Sequence, residues 1–218
     1  MLTLSGKIVV NVEASYIETY LRKKGYVRTE EQKAKRVEYW VNDLIVQKEL
    51  DVQEFEDFLY EELFFGKRKC IRIYHLDFLN KIRNPRDWAS NLNRVFGQSE
   101  LNFNSILTTI PSKEEPEKIA AITSETDYKG YLSKIQILLV RYAETWEAGR
   151  INETCSYYPV EIDLKKETMS IKAWNRKGLT ENYKTEEYMD RIVGLLSSNF
   201  NVITRNYMSE HKKALHNM

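Results

Sequence analysis

The stretch at 157–178, YYPVEIDLKKETMSIKAWNRKG, constrains the fold of this chain more than any other part of it. Apolar and polar residues alternate in both of its halves, which is the period of two expected of strands with one buried face. We predict a β-hairpin in which Ile162 lies opposite Ile171 and residues 165–168 form the turn. A slip of one residue would turn charged side chains into the core, so the pattern fixes which face of each strand is buried.

That pairing makes predictions for the polar face of the hairpin. Glu161 is expected directly across from Lys172, a pair of opposite charges that contributes roughly 0.2–1 kcal/mol. Pro159 cannot donate a hydrogen bond to a neighbouring strand, so the first arm is expected at a sheet edge or at a bulge. Trp174 falls on the polar face beside Arg176, and we predict that it is either covered by another part of the chain or offered to a partner.

The patterns on either side of the hairpin predict an α+β fold. Helices are expected at 13–24, from the capping-box sequence TEEQ at 29–32 to about residue 50, and at 51–66. These helices form a predicted N-terminal unit at 1–66. A mostly antiparallel sheet is expected to follow it and to end in the hairpin and a packing helix that begins near Thr185.

The sequence patterns between the N-terminal unit and the hairpin predict the strands and helix in the middle of the chain. A strand is expected at 67–78, and a helix is expected to begin at Asn84-Pro85 and to end at Gly97. Residues 133–147 are long enough for a helix but rich in β-branched and aromatic residues, which favours a long central strand. The predicted domains are 1–66, a basic strand–helix segment at 67–110 and the sheet region at 118–218, with the loop PSKEEPEK between the last two; one compact domain is the alternative.

Composition excludes several classes of function. The 218 residues carry a net charge of +1, so no global field draws the chain to nucleic acid or to an anionic membrane. Two cysteines and the absence of a long apolar run predict a cytoplasmic protein with no membrane partner. No two glycines lie within about six residues of each other, which excludes phosphate-cradling and dinucleotide-binding loops. We predict no cofactor and no metal, because His211 and His216 have no matching cysteine pair.

The segment at 67–96 is the strongest local candidate for binding. It contains eight basic and two acidic residues with aromatic residues interleaved. Cations that hold phosphates and rings that stack on bases are what a nucleic-acid interface requires. The alternative is that these cations pair with the acidic face of the preceding helix. The predicted nucleic-acid-binding residues are Lys67, Arg68, Lys69, Arg72, Tyr74, Lys81, Arg83 and Arg86.

Two short motifs suggest a nuclease as an alternative. The sequence RNYMSEH at 205–211 resembles the R-x4–6-H motif of the HEPN ribonuclease superfamily, whose motif lies in a helical bundle. The resemblance implies that His211 is a general acid or base and that Arg205 stabilises the charged phosphorane. Separately, Glu161, Asp163 and Lys165 have the spacing of metal-dependent nucleases of the restriction-endonuclease type, in which two carboxylates hold Mg²⁺.

The leading functional prediction is a cytoplasmic, non-catalytic binding or adaptor component. Its expected partner is RNA or DNA, or a protein complex that handles nucleic acid. A subunit that binds only other proteins, or another copy of itself, is a further alternative, because the chain has four tryptophans and fourteen tyrosines. For that alternative, Trp174 and Arg176 are the predicted partner-binding residues.

Overall fold

The structure is a computed structural model that describes residues 11–66, 70–79, 82–97, 105–106, 111–147, 149–173 and 184–206. Contacts within the chain divide it into two compact units, Met1–Lys67 and Arg68–Met218. The described part of the first unit is helical, and the second contains an antiparallel sheet with two helices. The predicted α+β fold is confirmed.

The first unit has helices where the apolar period and the capping residues predict them. Thr29 forms the predicted capping box with Gln32, but the helix that it opens is only four residues long and a separate helix follows. At the break, the guanidinium of Arg28 donates to the carbonyl oxygens of Gln32 and Lys35, which helps to satisfy the carbonyls at the end of the short helix. The helices are α1 (Ala14–Lys23), α2 (Glu30–Lys33), α3 (Val37–Val46) and α4 (Val52–Phe65).

One apolar stripe from each of the longer helices forms the core of the first unit. The carboxylate of Asp51 accepts a hydrogen bond from the amide of Glu54 at 3.0 Å and caps α4. The ring of Tyr20 stacks on that of Phe58 with 4.1 Å between centroids. The fully buried apolar residues of these helices include Ile17, Leu21, Val41, Phe55, Leu59 and Leu63.

The second unit begins with a strand and a helix and continues into the long strands of the sheet. Asn84 caps the first helix through the amide of Arg86, and Gly97 ends it in the left-handed conformation, with φ at 61°. The elements are β1 (Cys70–Phe78), α5 (Pro85–Phe96), β2 (Ser105–Ile106), β3 (Glu117–Thr126), β4 (Leu132–Glu147), β5 (Arg150–Asp163), β6 (Thr168–Ala173), α6 (Thr185–Asn199) and β7 (Val202–Asn206).

The described strands form one sheet in the order β2-β3-β4-β5-β6-β1-β7, and every neighbouring pair is antiparallel. The ladder between β4 and β5 is the longest and runs from Lys134 opposite Asp163 to Glu147 opposite Arg150. The prediction of a long central strand at 133–147 is therefore confirmed. The β-branched residues of this segment line the sheet, where their restricted side chains pack well.

The predicted hairpin is present, but the predicted register is wrong: the observed pairing is shifted from it by two residues. Val160 lies opposite Ile171, and Ile162 lies opposite Met169. Glu161 consequently faces Ser170, and the predicted pair with Lys172 does not form; Lys172 lies opposite Ile71 of β1. A shift of two residues keeps every side chain on its predicted face, so the apolar pattern cannot distinguish the two registers.

The turn of the hairpin selects the observed register. The carboxylate of Asp163 accepts hydrogen bonds from the amides of Lys165 at 3.0 Å and Lys166 at 2.8 Å. The loop therefore occupies 164–167, one position earlier than predicted, and Glu167 adopts a positive φ of 54°. Leu164 is buried in this loop, and its amide donates to the carbonyl of Ser133.

The prediction that Pro159 marks an edge strand or a bulge is also wrong. Its strand β5 is interior to the sheet and pairs with β4 on one side and β6 on the other. Pro159 lies opposite Leu138 in an uninterrupted register, just past Val160, where pairing with β6 stops. The missing amide hydrogen is tolerated because no β6 residue pairs with this position.

Helices α5 and α6 cover one face of the sheet. Trp88 of α5 stacks on Phe200, with 3.9 Å between ring centroids, and its indole nitrogen donates to the carbonyl of Ile82 at 2.9 Å. Both rings belong to the main apolar core, together with Ile137 of β4 and Val160 of β5. Among the described residues, no helix combines the length and apolar composition needed to cross a membrane.

Asp163→Ala should weaken the hairpin because it leaves the turn amides of Lys165 and Lys166 without their acceptor. We expect the free energy of unfolding to fall by about 1 kcal/mol, as for the loss of a helix N-cap of the same kind. Urea denaturation followed by circular dichroism measures this change. Asp163→Asn is the matched control, because its amide oxygen still accepts and should retain much of the stability.

The pH dependence of the same contact has a defined sign. Partial burial raises the pKa of Asp163, but the backbone hydrogen bonds from Lys166 and Lys165 outweigh it, so the net pKa is lowered. A carboxyl group whose pKa is lower in the folded state stabilises the fold at pH values above its ordinary pKa of about 4. This stabilisation is lost as the pH falls through the pKa of the folded state. The difference in the free energy of unfolding between wild type and Asp163→Asn should therefore become smaller below about pH 4. A difference in the free energy of unfolding that does not change with pH would contradict the role of the ionised Asp163 in the turn.

Candidate nucleic-acid interface

Three loops of the second unit meet at one end of the sheet. They are the segment at 82–87, which leads into the first turn of α5, the β3–β4 turn at 127–131 and the β5–β6 turn at 164–167, and we call their combined surface the end-loop surface. Backbone hydrogen bonds fasten them together: Leu132 donates to the carbonyl of Arg83 at 3.1 Å, and Leu164 donates to that of Ser133 at 2.9 Å. The loops are therefore held in a fixed arrangement by the strands that they connect.

A small cavity opens between these loops. Its volume is about 230 Å³. Leu132 and Leu164 are the buried apolar part of its wall, and the Arg83 guanidinium lies 5.9 Å from the centroid of the Tyr131 ring. The lining residues are Arg83, Asp127, Tyr131, Leu132, Leu164 and Lys165. The cavity thus combines cations, an aromatic ring and an apolar wall.

Exposed tyrosines lie on the β3–β4 turn. Tyr128 is 92% exposed and Tyr131 is 46% exposed. The Lys129 ammonium lies 5.4 Å from the centroid of the Tyr128 ring, so each ring has a cation beside it. The turn is ordered by Asp127, whose carboxylate accepts from the amides of Lys129 at 2.9 Å and Tyr131 at 3.0 Å.

The end-loop surface is basic in character. Asp127 uses its carboxylate within its own turn, and the neighbouring Asp163 binds the amides of the β5–β6 turn. These hydrogen bonds hold both carboxylates within their own turns and stabilise their ionised form. The described loops carry five cations and three carboxylates: Arg83, Arg86, Lys129, Lys165 and Lys166, against Asp87, Asp127 and Glu167.

The predicted basic residues have different environments in the structure. Arg83 and Arg86 are exposed at the end-loop surface. Arg72 instead pairs with Glu186 at 3.1 Å and with Asp190, both on α6. Tyr74 is only 5% exposed, and burial raises the pKa of its phenol. These two residues therefore belong to the packing of β1 against α6. Lys67, Arg68, Lys69 and Lys81 lie outside the described residues.

The residues of the HEPN-like motif are only partly described. Arg205 lies on β7, and its guanidinium is 2.6 Å from the carboxylate of Asp77 on β1. It is thus on a strand, whereas the superfamily carries its motif in a helical bundle. His211 lies outside the described residues, as do Trp174 and Arg176.

The carboxylates of the proposed metal motif already have protein partners. Glu161 accepts from the amide nitrogen of Gln136 at 3.0 Å and lies 3.8 Å from the Lys134 ammonium. Asp163 holds the β5–β6 turn, and Lys165 lines the cavity instead of standing beside the two acids. In the described ranges, no three carboxylate, histidine or cysteine side chains lie close enough together to hold a metal ion.

Sequence reasoning missed the contribution of the β3–β4 turn. Its sequence, DYKGY at 127–131, does carry a signal, because an aspartate followed by a glycine three residues later is typical of a tight surface turn. The aromatic residues of such a turn must point outward or pack against a neighbouring loop. Nothing in the local sequence indicates that this turn lies beside Arg83, which is more than forty residues earlier.

Comparison with known proteins finds no family model that matches this chain and no curated protein with significant similarity to it.

Arg72→Ala should lower stability without changing nucleic-acid affinity. The substitution removes the ion pairs that join β1 to α6, for which we expect a loss of about 1 kcal/mol in the free energy of unfolding. Urea denaturation measures that loss, and Lys184→Ala is the control because its pair with Glu187 is far more exposed. A variant that keeps full stability but binds RNA more weakly would instead make Arg72 a contact residue.

Proposed function

We propose that this protein is a cytoplasmic, non-catalytic component that binds single-stranded nucleic acid through its end-loop surface. The observation that carries the proposal is the cavity lined by Arg83, Lys165 and Tyr131, in which the Arg83 guanidinium lies 5.9 Å from the centroid of the exposed tyrosine ring. A guanidinium and an ammonium attract backbone phosphates, and a tyrosine ring stacks on a base of any sequence.

The size of the cavity favours a single strand as the ligand. At about 230 Å³ it is smaller than the sites of roughly 300–1,000 Å³ that enclose drug-sized ligands. A base that enters it must be unpaired, because a base in a duplex is stacked and paired inside the helix. Tyr128 is almost fully exposed at the rim and offers a second ring for the neighbouring base.

Binding through this surface is expected to depend on salt and to be tolerant of sequence. The contacts available are charge and stacking, which carry little base-specific information. The cytoplasmic part of the proposal is supported by the two cysteines, Cys70 on β1 and the buried Cys155 on β5, which form no disulfide with each other.

Arg83→Gln combined with Lys165→Gln should weaken binding of a fluorescein-labelled oligouridine and flatten its salt dependence. Each lost phosphate contact is expected to reduce the slope of log K against log salt by roughly 0.7. Tyr131→Ala should reduce affinity by roughly 5- to 150-fold with little change in that slope, because it removes stacking and leaves the charges in place. Fluorescence anisotropy over a salt series separates the two effects.

Lys35→Gln combined with Lys184→Gln is the matched control. It removes the same charge from exposed positions on the first unit and at the start of α6. Affinity should stay close to wild type in this variant. An equal loss in both double variants would mean nonspecific attraction, and undetectable binding by the wild type at low salt would refute the proposal.

A further inference from the structure

The far end of the β4–β5 hairpin projects beyond the strands on either side of it. Pairing of β3 with β4 ends at Arg141, and pairing of β6 with β5 ends at Val160. The amide of Tyr142 makes one further bond, to the carbonyl of Pro116 at 2.8 Å. Beyond it, in the described part of the chain, the two strands pair only with each other, as far as Glu147 opposite Arg150. Gly149, with φ at 77°, makes the tight connection between them.

The two faces of this projection have the reverse of the usual polarity. On one face, the small or polar residues Ala143, Thr145 and Thr154 are buried. On the other face, Trp146 lies directly opposite Ile151, and they are 58% and 56% exposed. Large apolar side chains that are paired across strands and left in water are a feature of interaction surfaces.

Two carboxylates lie next to this apolar pair on the same face. Glu144 is directly opposite Glu153, and like charges in such positions destabilise a sheet. The hydroxyl of Tyr142 is 3.0 Å from Glu144 and 3.3 Å from Glu153, yet its one proton can be donated to only one of them. Among the described residues, the only cation near either acid is the exposed Lys113, 3.5 Å from Glu144. The pair is thus incompletely neutralised.

We propose that this face, which we call the tip face, docks a basic segment of a partner protein. The tip face consists of Tyr142, Glu144, Trp146, Ile151 and Glu153. An apolar side chain of the partner packs on the Trp146–Ile151 pair, and a lysine or arginine binds between the two glutamates. The charge of that cation relieves the repulsion that the hairpin carries when it is alone.

Charge complementarity selects this occupant over the alternatives. Two copies of the tip face brought together would place four carboxylates in one interface, which opposes a symmetric dimer. Phosphates are repelled by the same two glutamates, so nucleic acid is not expected here. The end-loop surface lies at the opposite end of β4, roughly 50 Å away at 3.3 Å per residue, so the two surfaces can be occupied independently.

The test uses the full chain and a synthetic fluorescein-labelled peptide of alternating lysine and leucine, titrated by anisotropy. Trp146→Ala should weaken binding at least about tenfold, the effect of losing an interface hot spot. Ile151→Ser should also weaken it, and provides a second variant should Trp146→Ala fail to fold. Glu144→Gln combined with Glu153→Gln should weaken binding about fivefold and reduce its salt dependence.

Two controls separate this site from nonspecific attraction and from the nucleic-acid proposal. Glu30→Gln combined with Glu31→Gln removes the same charge from exposed positions on α2, and should leave peptide affinity unchanged. Arg83→Gln combined with Lys165→Gln should also leave it unchanged, while weakening oligouridine binding.

Several results would overturn the proposal. One such result is that the protein binds the lysine–leucine peptide no more tightly than a peptide in which serine replaces leucine. Another is a loss in Glu30→Gln/Glu31→Gln equal to that in the tip-face double variant. Sedimentation that shows self-association abolished by Trp146→Ala would identify a second copy as the occupant, and loss of oligouridine binding in that variant would identify nucleic acid.

Discussion

The antiparallel ladder between β4 and β5 is the constraint on which the second unit depends. It joins residues 134–147 to 150–163 without a break in register, and it is the longest pairing in the sheet. Consecutive antiparallel strands place their connections at alternating ends of a sheet, so the β3–β4 and β5–β6 turns come together at one end while the β4–β5 connection lies at the other. The cavity and the projecting tip are both consequences of this arrangement, since each is an end of the same pair of strands.

The two ends differ in what happens to their acidic groups. At the end-loop surface, Asp127 and Asp163 each accept backbone amides of their own turns, and the lowered pKa of Asp163 reflects that use. Beside the cavity, the lining cations Arg83 and Lys165 outnumber the one lining carboxylate, Asp127. At the tip, Glu144 and Glu153 face each other. The pKa of the neighbouring Tyr142 is raised to about 12, chiefly by burial and then by these two carboxylates. The loops at one end carry more cations than carboxylates and the other end carries two facing carboxylates, although the chain as a whole is nearly neutral.

The structure also sorts the arginines by role. Arg28 joins Glu18 to the carbonyls at the end of α2, Arg72 holds α6 to β1, and Arg205 pairs with Asp77 across neighbouring strands. These arginines pair with acidic or carbonyl groups of the chain itself, whereas Arg83 lies 5.9 Å from the centroid of the exposed Tyr131 ring. A run of basic residues in a sequence does not reveal this division, because ion-pair partners such as Glu186 are distant in the chain.

The sequence by itself determined the local features: the capping box at Thr29, the helix between Asn84 and Gly97, the long strand β4 and the buried face of the hairpin. Each depends on neighbouring residues and on a short period. Only the tertiary structure decided the register of the hairpin, because a period of two leaves a two-residue shift undetermined until Asp163 binds its turn. It also decided the interior position of Pro159 and the meeting of Tyr131 with Arg83. Such contacts join segments far apart in the chain, and they depend on how strands pair and not on the pattern within any one of them.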